Sequence, residues 1–234
     1  MNGDGVLEVD SLYVEINDQT IINGINLHLK EGEICSLVGH NGAGKSITMK
    51  TILGIQQKKS GQIKINGWDM DLDFEQYKRQ YTYIPEEPLL FTELTVKQHF
   101  QLYGTSYRIP ETIFEERVSY YVEALELQGK LEEYPQNLSK GMRQKVNIIS
   151  NFIVDTPLII IDEPFIGLDV NAANFLEQEL VKRRKKGVSV LITSHQLERL
   201  KEFSNKYVML KMGEVVQEGE ITHLKSIKGR IHDE

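Results

Sequence analysis

The 234-residue sequence holds a single cysteine, Cys35, so no disulfide can form within it, and this usage suits a reducing compartment. It has no basic surplus: 27 Lys and Arg stand against 34 Asp and Glu, a formal net charge of −7. Nucleic-acid binders draw much of their affinity from cations on phosphates, so this balance argues against that class. No apolar run approaches the ~18 residues of a membrane span. The opening MNGDGVLEVD is acidic and lacks the apolar stretch of a signal peptide. The spacing of His28, His40, His99, His223 and His232 does not match a zinc site. Internal repeats and low-complexity segments are missing, which argues against solenoids and linkers. What remains is a globular mix, 40% apolar and 26% charged, long enough for one large domain or two modest ones.

Short β-prone runs open the chain: 7–16, 25–30 and 33–38. ICSLV is apolar on both sides of its pleat, which predicts a buried central strand with Cys35 as an inert core thiol. KSITMKTILGI predicts a helix, 61–67 a strand and turn, 74–80 a helix and 81–85 a strand. From Glu86 to Ser150 only helical periodicity is evident. Strand–helix alternation then resumes with PLIIID, 170–186, GVSVLITS and 195–203. A hairpin turning at Met212–Gly213 follows, and then a polar, loose tail IKGRIHDE. The run KRRKK (182–186) predicts a solvated helix end, where cations complement the dipole.

Gly39-His40-Asn41-Gly42-Ala43-Gly44-Lys45-Ser46 fits G-x-x-x-x-G-K-[ST] in full. Glycines let backbone N–H groups curl onto phosphates, and the following helix offers its positive end. In such a loop the lysine reaches the β/γ oxygens and the serine hydroxyl binds Mg²⁺. The pattern arises by chance in about one in a hundred chains of this length, and a buried strand before it and a helix after it strengthen the reading. Four apolar residues, Leu158–Ile161, deliver Asp162 and Glu163 to a strand end, where α/β sheets bind ligands. Asp162 suits a Mg²⁺ shell. Glu163, one residue on, points elsewhere and suits a base that polarises water. His195 ends another apolar strand; spacing alone leaves γ-phosphate contact and plain surface equally open.

Together these residues resemble the ATP-binding subunits of ABC transporters. Leu138-Ser139-Lys140-Gly141-Met142-Arg143-Gln144 is similar to the family signature in an LSxGxxQ form, and IDEPFIGLD is similar to Walker B running into the D-loop. The resemblance covers about residues 6–219, and LSKGMRQK with IDEPFIGLD looks most like bacterial export-type, Ecs-like or peptide- and bacteriocin-related ATPases. It implies an α/β fold: a P-loop NTPase core with a mostly parallel sheet and flanking helices, an N-terminal antiparallel β subdomain, and a helical insertion. The core would span 1–85 and 151–234, and the helical signature subdomain 86–150. ATP and Mg²⁺ are the implied ligands. Gly39 to Ser46 with Ile47 and Ile16 would bind ATP, and Ser46, Glu86 and Asp162 would hold Mg²⁺. Glu163, His195 and Glu86 would be catalytic, and Asp169 is the D-loop acid. Ser139, Lys140, Gly141 and Met142 would serve the partner subunit's ATP in a head-to-tail dimer with itself or a paralogue. Ser139 and the backbone after it also read as a helix N-cap that can receive phosphate. A multi-span permease, docked near Glu86–Thr95, would hold the chain on the inner, cytoplasmic face of the membrane.

Three positions depart from the family pattern. Ile16 stands where an aromatic stacks on adenine, Glu86 where the Q-loop has Gln, and Ile47 where Thr follows the P-loop Ser. Tyr13 lies three residues before Ile16, an odd offset that predicts the opposite face. Two rival readings remain. One is a soluble ABC ATPase of iron–sulfur assembly. The other is a P-loop kinase or GTPase, disfavoured because no NKxD base reader occurs and a kinase leaves LSKGMRQ unexplained.

Overall fold

The computed structural model describes residues 5–224. The chain begins with strands β1 (Gly5–Ile16), β2 (Gln19–Lys30) and β3 (Ile34–Val38), then helix α1 (Lys45–Ile52). Next come β4 (Ser60–Ile65), β5 (Trp68–Asp69), α2 (Phe74–Lys78) and β6 (Tyr81–Ile84). Three helices follow without a strand between them: α3 (Val96–Ser106), α4 (Glu111–Ala124) and α5 (Lys140–Phe152). The chain continues through β7 (Leu158–Asp162), α6 (Val170–Arg184), β8 (Ser189–Thr193), α7 (Leu197–Phe203), β9 (Lys206–Lys211) and β10 (Glu214–Glu220).

Two sheets result. One is antiparallel, ordered β2-β1-β4-β5. The other is ordered β10-β9-β3-β8-β7-β6, parallel except for the β9–β10 pair. This matches the expected mostly parallel core with an antiparallel sheet beside it. The apolar runs work because both faces of the parallel sheet are covered. Ile159 and Ile161 face one apolar cluster with α3, α4, α5 and α6, while Leu158 and Ile160 face a second, shared with α1 and the antiparallel sheet. Cys35 lies in that second cluster, its thiol pushed up to about 12 by burial, so it stays a protonated core group.

Two expectations change. β2 begins at Gln19 rather than near residue 25, because Asn17 and Asp18 both adopt positive φ and close a two-residue hairpin. Tyr13 is exposed while Ile16 packs against the second cluster, as the odd offset predicts, even though β1 shifts register between Val14 and Glu15. KRRKK is not all solvated: Arg183 is buried, donates to Tyr121 and to the Phe152 carbonyl, and pairs with Glu179. The polar tail 227–234 lies outside the described residues.

Candidate nucleotide site

β3 runs into the glycine loop, which runs into α1. Gly44 caps α1 with φ 106°, and a β-carbon there would lie 2.7 Å from Ile22 Cδ1 on β2. A side chain is therefore excluded by both backbone and neighbour. The loop is braced from outside as well: Gly213, at the β9–β10 turn, donates to the Ala43 carbonyl, and Asn23 donates to Gly213. Lys45 Nζ donates to the carbonyls of Gly39 (2.8 Å) and His40 (3.1 Å), so its ammonium hangs within the loop it follows. Burial lowers the Lys45 pKa, while the charges of Glu163 and Asp162 oppose that shift; all three groups share one electrostatic site. Ser46 is exposed in the first turn of α1. His40 and Asn41 are exposed on the loop crest, while Ile47 is half-buried and packs with Ile16 against the second cluster.

Parallel pairing of β7 with β8 sets the acidic pair beside Thr193. Thr193 Oγ1 donates to Asp162 Oδ1 at 2.5 Å. The Glu163 N–H donates to Thr193 O and Thr193 Oγ1, both at 3.2 Å. Glu163 takes a left-handed φ of 46°, which turns its side chain off the strand line. Its carboxylate is buried. Oε2 accepts from the His195 N–H at 3.0 Å, and Oε1 has no hydrogen-bond partner, with His195 Nε2 3.5 Å away. Burial, the largest influence, raises the Glu163 pKa. A carboxylate with a free, desolvated oxygen can take a proton from water. His195 is thus drawn beside Glu163, although its ring is exposed. Glu86 is exposed and lies close enough to Tyr83 that it and Asp162 reinforce burial in pushing that phenol up to about 12.

Ser139 caps α5, its Oγ accepting from the Met142 N–H at 3.2 Å. A β-carbon on Gly141 would meet the Gly167 carbonyl oxygen. Gln144 donates to the Pro164 carbonyl, and Lys145 pairs with Asp169 at 2.7 Å. The segment 163–169 and the start of α5 are therefore one packed unit. Asp169, read as the D-loop acid, is engaged within its own chain: it caps α6 through the Ala172 N–H, and Lys145 holds its carboxyl below the usual range. Sequence reasoning gave no role to Thr193, Lys145 or Glu87, and Glu87 pairs with Lys140 at 3.0 Å. Only the polar end of the β8 run hinted at Thr193; the other two pairings need the fold.

A glycine loop between a buried strand and a helix, with paired acids at the end of β7 in the same sheet, defines the nucleotide-hydrolysing P-loop class. The model for the family described as ABC transporter matches residues 22–166. The ABC-type transporter ATP-binding protein EcsA of Bacillus subtilis (strain 168) is 34% identical over 94% of this chain and 89% of its own length. The SkfA peptide export ATP-binding protein SkfE of the same organism is 28% identical over 84% of this chain and 82% of its own. A solved ATP-binding subunit of an ABC transporter superposes with a TM-score of 0.89 at 36% identity, covering 92% of this chain and 90% of that one. The chain belongs to the ABC transporter family. It is an ATP-binding subunit and hydrolyses ATP.

Proposed function

We propose that this chain powers export, with Glu163 as the base for ATP hydrolysis in a site completed by a second subunit. The observation that carries it is the free, buried Oε1 of Glu163, set in one electrostatic site with Lys45 and Asp162. Residues Gly39 to Ser46 hold the phosphates, with Lys45 released from its loop carbonyls to the β/γ oxygens. Ile47 packs at the α-phosphate end and Ile16 at the base end. An exposed hydroxyl, Ser46, and a half-buried carboxylate, Asp162, are hard oxygen donors that fit Mg²⁺; Glu86, which with Asp162 acts on Tyr83, is the further oxygen. Mg²⁺ there would neutralise phosphate charge as it develops. His195 positions the Glu163 carboxylate through its backbone N–H and presents its ring toward the γ-phosphate.

Ser139, Lys140, Gly141 and Met142 present the α5 N-terminus to the partner subunit's ATP in a head-to-tail dimer. Asp169 supports that surface from behind rather than reaching across it. The helical segment 86–150 receives a multi-span permease. A cleft of about 340 Å³, lined by Lys78, Tyr83, Leu89, Tyr107, Asn147 and Asn151, supports this docking; Leu89 in it and Phe91, two residues on in sequence, are exposed. Among the described residues no helix is long and apolar enough to cross a membrane, so the permease would hold the chain on the inner face. The peptide-export relative supports the direction.

If the neighbouring gene encodes a multi-span protein, the chain coexpressed with it should sediment with membranes and leave them when that protein is omitted. Copurification with a cysteine-desulfurase system instead would move it to iron–sulfur assembly. At the base end, Ile16→Tyr should tighten ATP binding. Base–aromatic stacking is worth ~1–3 kcal/mol, part of which the aliphatic contact already recovers, so the gain should be at most about tenfold. An unchanged Kd for ATP would remove Ile16 from the site.

A further inference from the structure

The first two turns of α5 concentrate positive charge. Lys140 is the first residue of this 13-residue helix, Arg143 and Lys145 follow, and its first turn holds no acid. Cations are disfavoured at the end of a helix where free N–H groups are already partly positive. Two of the three are engaged on the chain's own side: Lys145 pairs with Asp169, and Arg143 donates to the Leu138 carbonyl at 2.8 Å. Lys140 is engaged from elsewhere. Its Nζ lies 3.0 Å from Oε1 of Glu87, 53 residues away in the loop between β6 and α3. Its stem runs beside Gly167, the residue whose carbonyl meets Gly141.

Glu87 is held in place. Pro85 and Pro88 bracket Glu86-Glu87 and restrict the backbone on both sides. Further along, buried His99 clamps the loop: its Nε2 accepts from the Phe91 N–H at 2.9 Å, and its Nδ1 donates to the Thr95 carbonyl at 2.8 Å. An exposed ion pair ordinarily gains little because two long side chains must be ordered. Here the acidic partner sits on a stiffened loop, so less freedom is lost.

We propose that Glu87 is an internal competitor for the anion that the α5 N-terminus takes from the other subunit. In the open subunit its carboxylate neutralises Lys140 in front of the Ser139 cap. On closure that pair breaks, and Lys140 turns to the polyphosphate held by the partner's cradle. This rests on the composite-site reading above. Glu87 therefore raises the threshold for ATP-driven closure, and anything that draws the 86–94 loop away from α5 lowers it.

The test uses the full chain carrying Glu163→Gln, so that ATP is held unhydrolysed, and reads the dimer dissociation constant by sedimentation at fixed ATP and Mg²⁺. Glu87→Gln should tighten the dimer. Release from an exposed pair is worth about two- to fivefold, and a symmetric dimer breaks two pairs, so the gain should be about four- to twenty-five-fold. ATP affinity of the dilute monomer should not move. Lys140→Gln should weaken the dimer, and adding Glu87→Gln to it should then change nothing. A Glu87→Gln dimer no tighter than its parent overturns the proposal. So does equal tightening without Lys140, which would mean general charge repulsion. If the Glu163→Gln parent itself forms no ATP-dependent dimer, the composite site between two copies of this chain falls and this proposal with it; an ordinary dimer indifferent to Glu87 removes this proposal alone.

Discussion

Glu163→Gln is expected to lower steady-state ATP hydrolysis by roughly 10²–10⁴ while leaving ATP binding intact. The amide keeps the size of the side chain and can still accept from the His195 N–H, so the β7–β8 junction should hold its shape. What is lost is the proton acceptor at Oε1, the buried oxygen without a partner. ATP should then accumulate in a trapped dimer, visible by sedimentation. In the unmutated chain the base works only when ionised. Because burial raises the Glu163 pKa, turnover should fall as pH drops through a value above that of an ordinary carboxylate. That acid limb should disappear from the residual activity of Glu163→Gln. Wild-type-like turnover in the mutant would remove Glu163 from the role, and an unchanged acid limb would assign it to another group.

Much of the architecture was legible because its signals are local. A glycine loop between an apolar run and a helical one, and four apolar residues ending in two acids, each fit in a dozen residues. The helical stretch was legible because periodicity is a property of the segment itself, and Ser139 because a cap precedes its own helix. What escaped depends on which elements meet. Thr193 touches both Asp162 and Glu163 only because β8 lies between β3 and β7, an order no short window contains. Lys145–Asp169 and Lys140–Glu87 are exposed or half-exposed pairs set by tertiary placement. The opposite placement of Tyr13 and Ile16 was legible by counting along the strand, and it holds despite the register shift of β1 between Val14 and Glu15. Arg183 looked solvated because its neighbours in sequence are; its partners Tyr121 and Phe152 come from α4 and α5.

Mixing two inactive mutants should restore activity, if the chain forms a homodimer with shared sites. Lys45→Ala destroys a subunit's own phosphate cradle, and Ser139→Arg blocks the helix end it lends to its partner. Alone, each gives a homodimer with both sites dead. In the mixed dimer, the Lys45→Ala cradle faces the arginine-blocked α5, so both lesions fall in one site. The other site joins an intact Lys45 from one chain to an intact Ser139 from the other. Where one site suffices for turnover, ATPase activity should reappear in proportion to the heterodimer formed. The control places both changes in one chain and mixes it with wild type; each site of that heterodimer then carries one lesion, so it should be inactive. Lys45 acts from within the cradle at the start of α1 and Ser139 caps α5, a separate helix, so neither change should unfold the other's element. If subunits demonstrably exchange, one site demonstrably turns over, and the single mutants still fail to complement, then hydrolysis is completed within one chain. In that case the cap at Ser139, and the glycine at 141 that lets α5 close against Gly167, shape the subunit's interior rather than the face it offers to a partner's ATP.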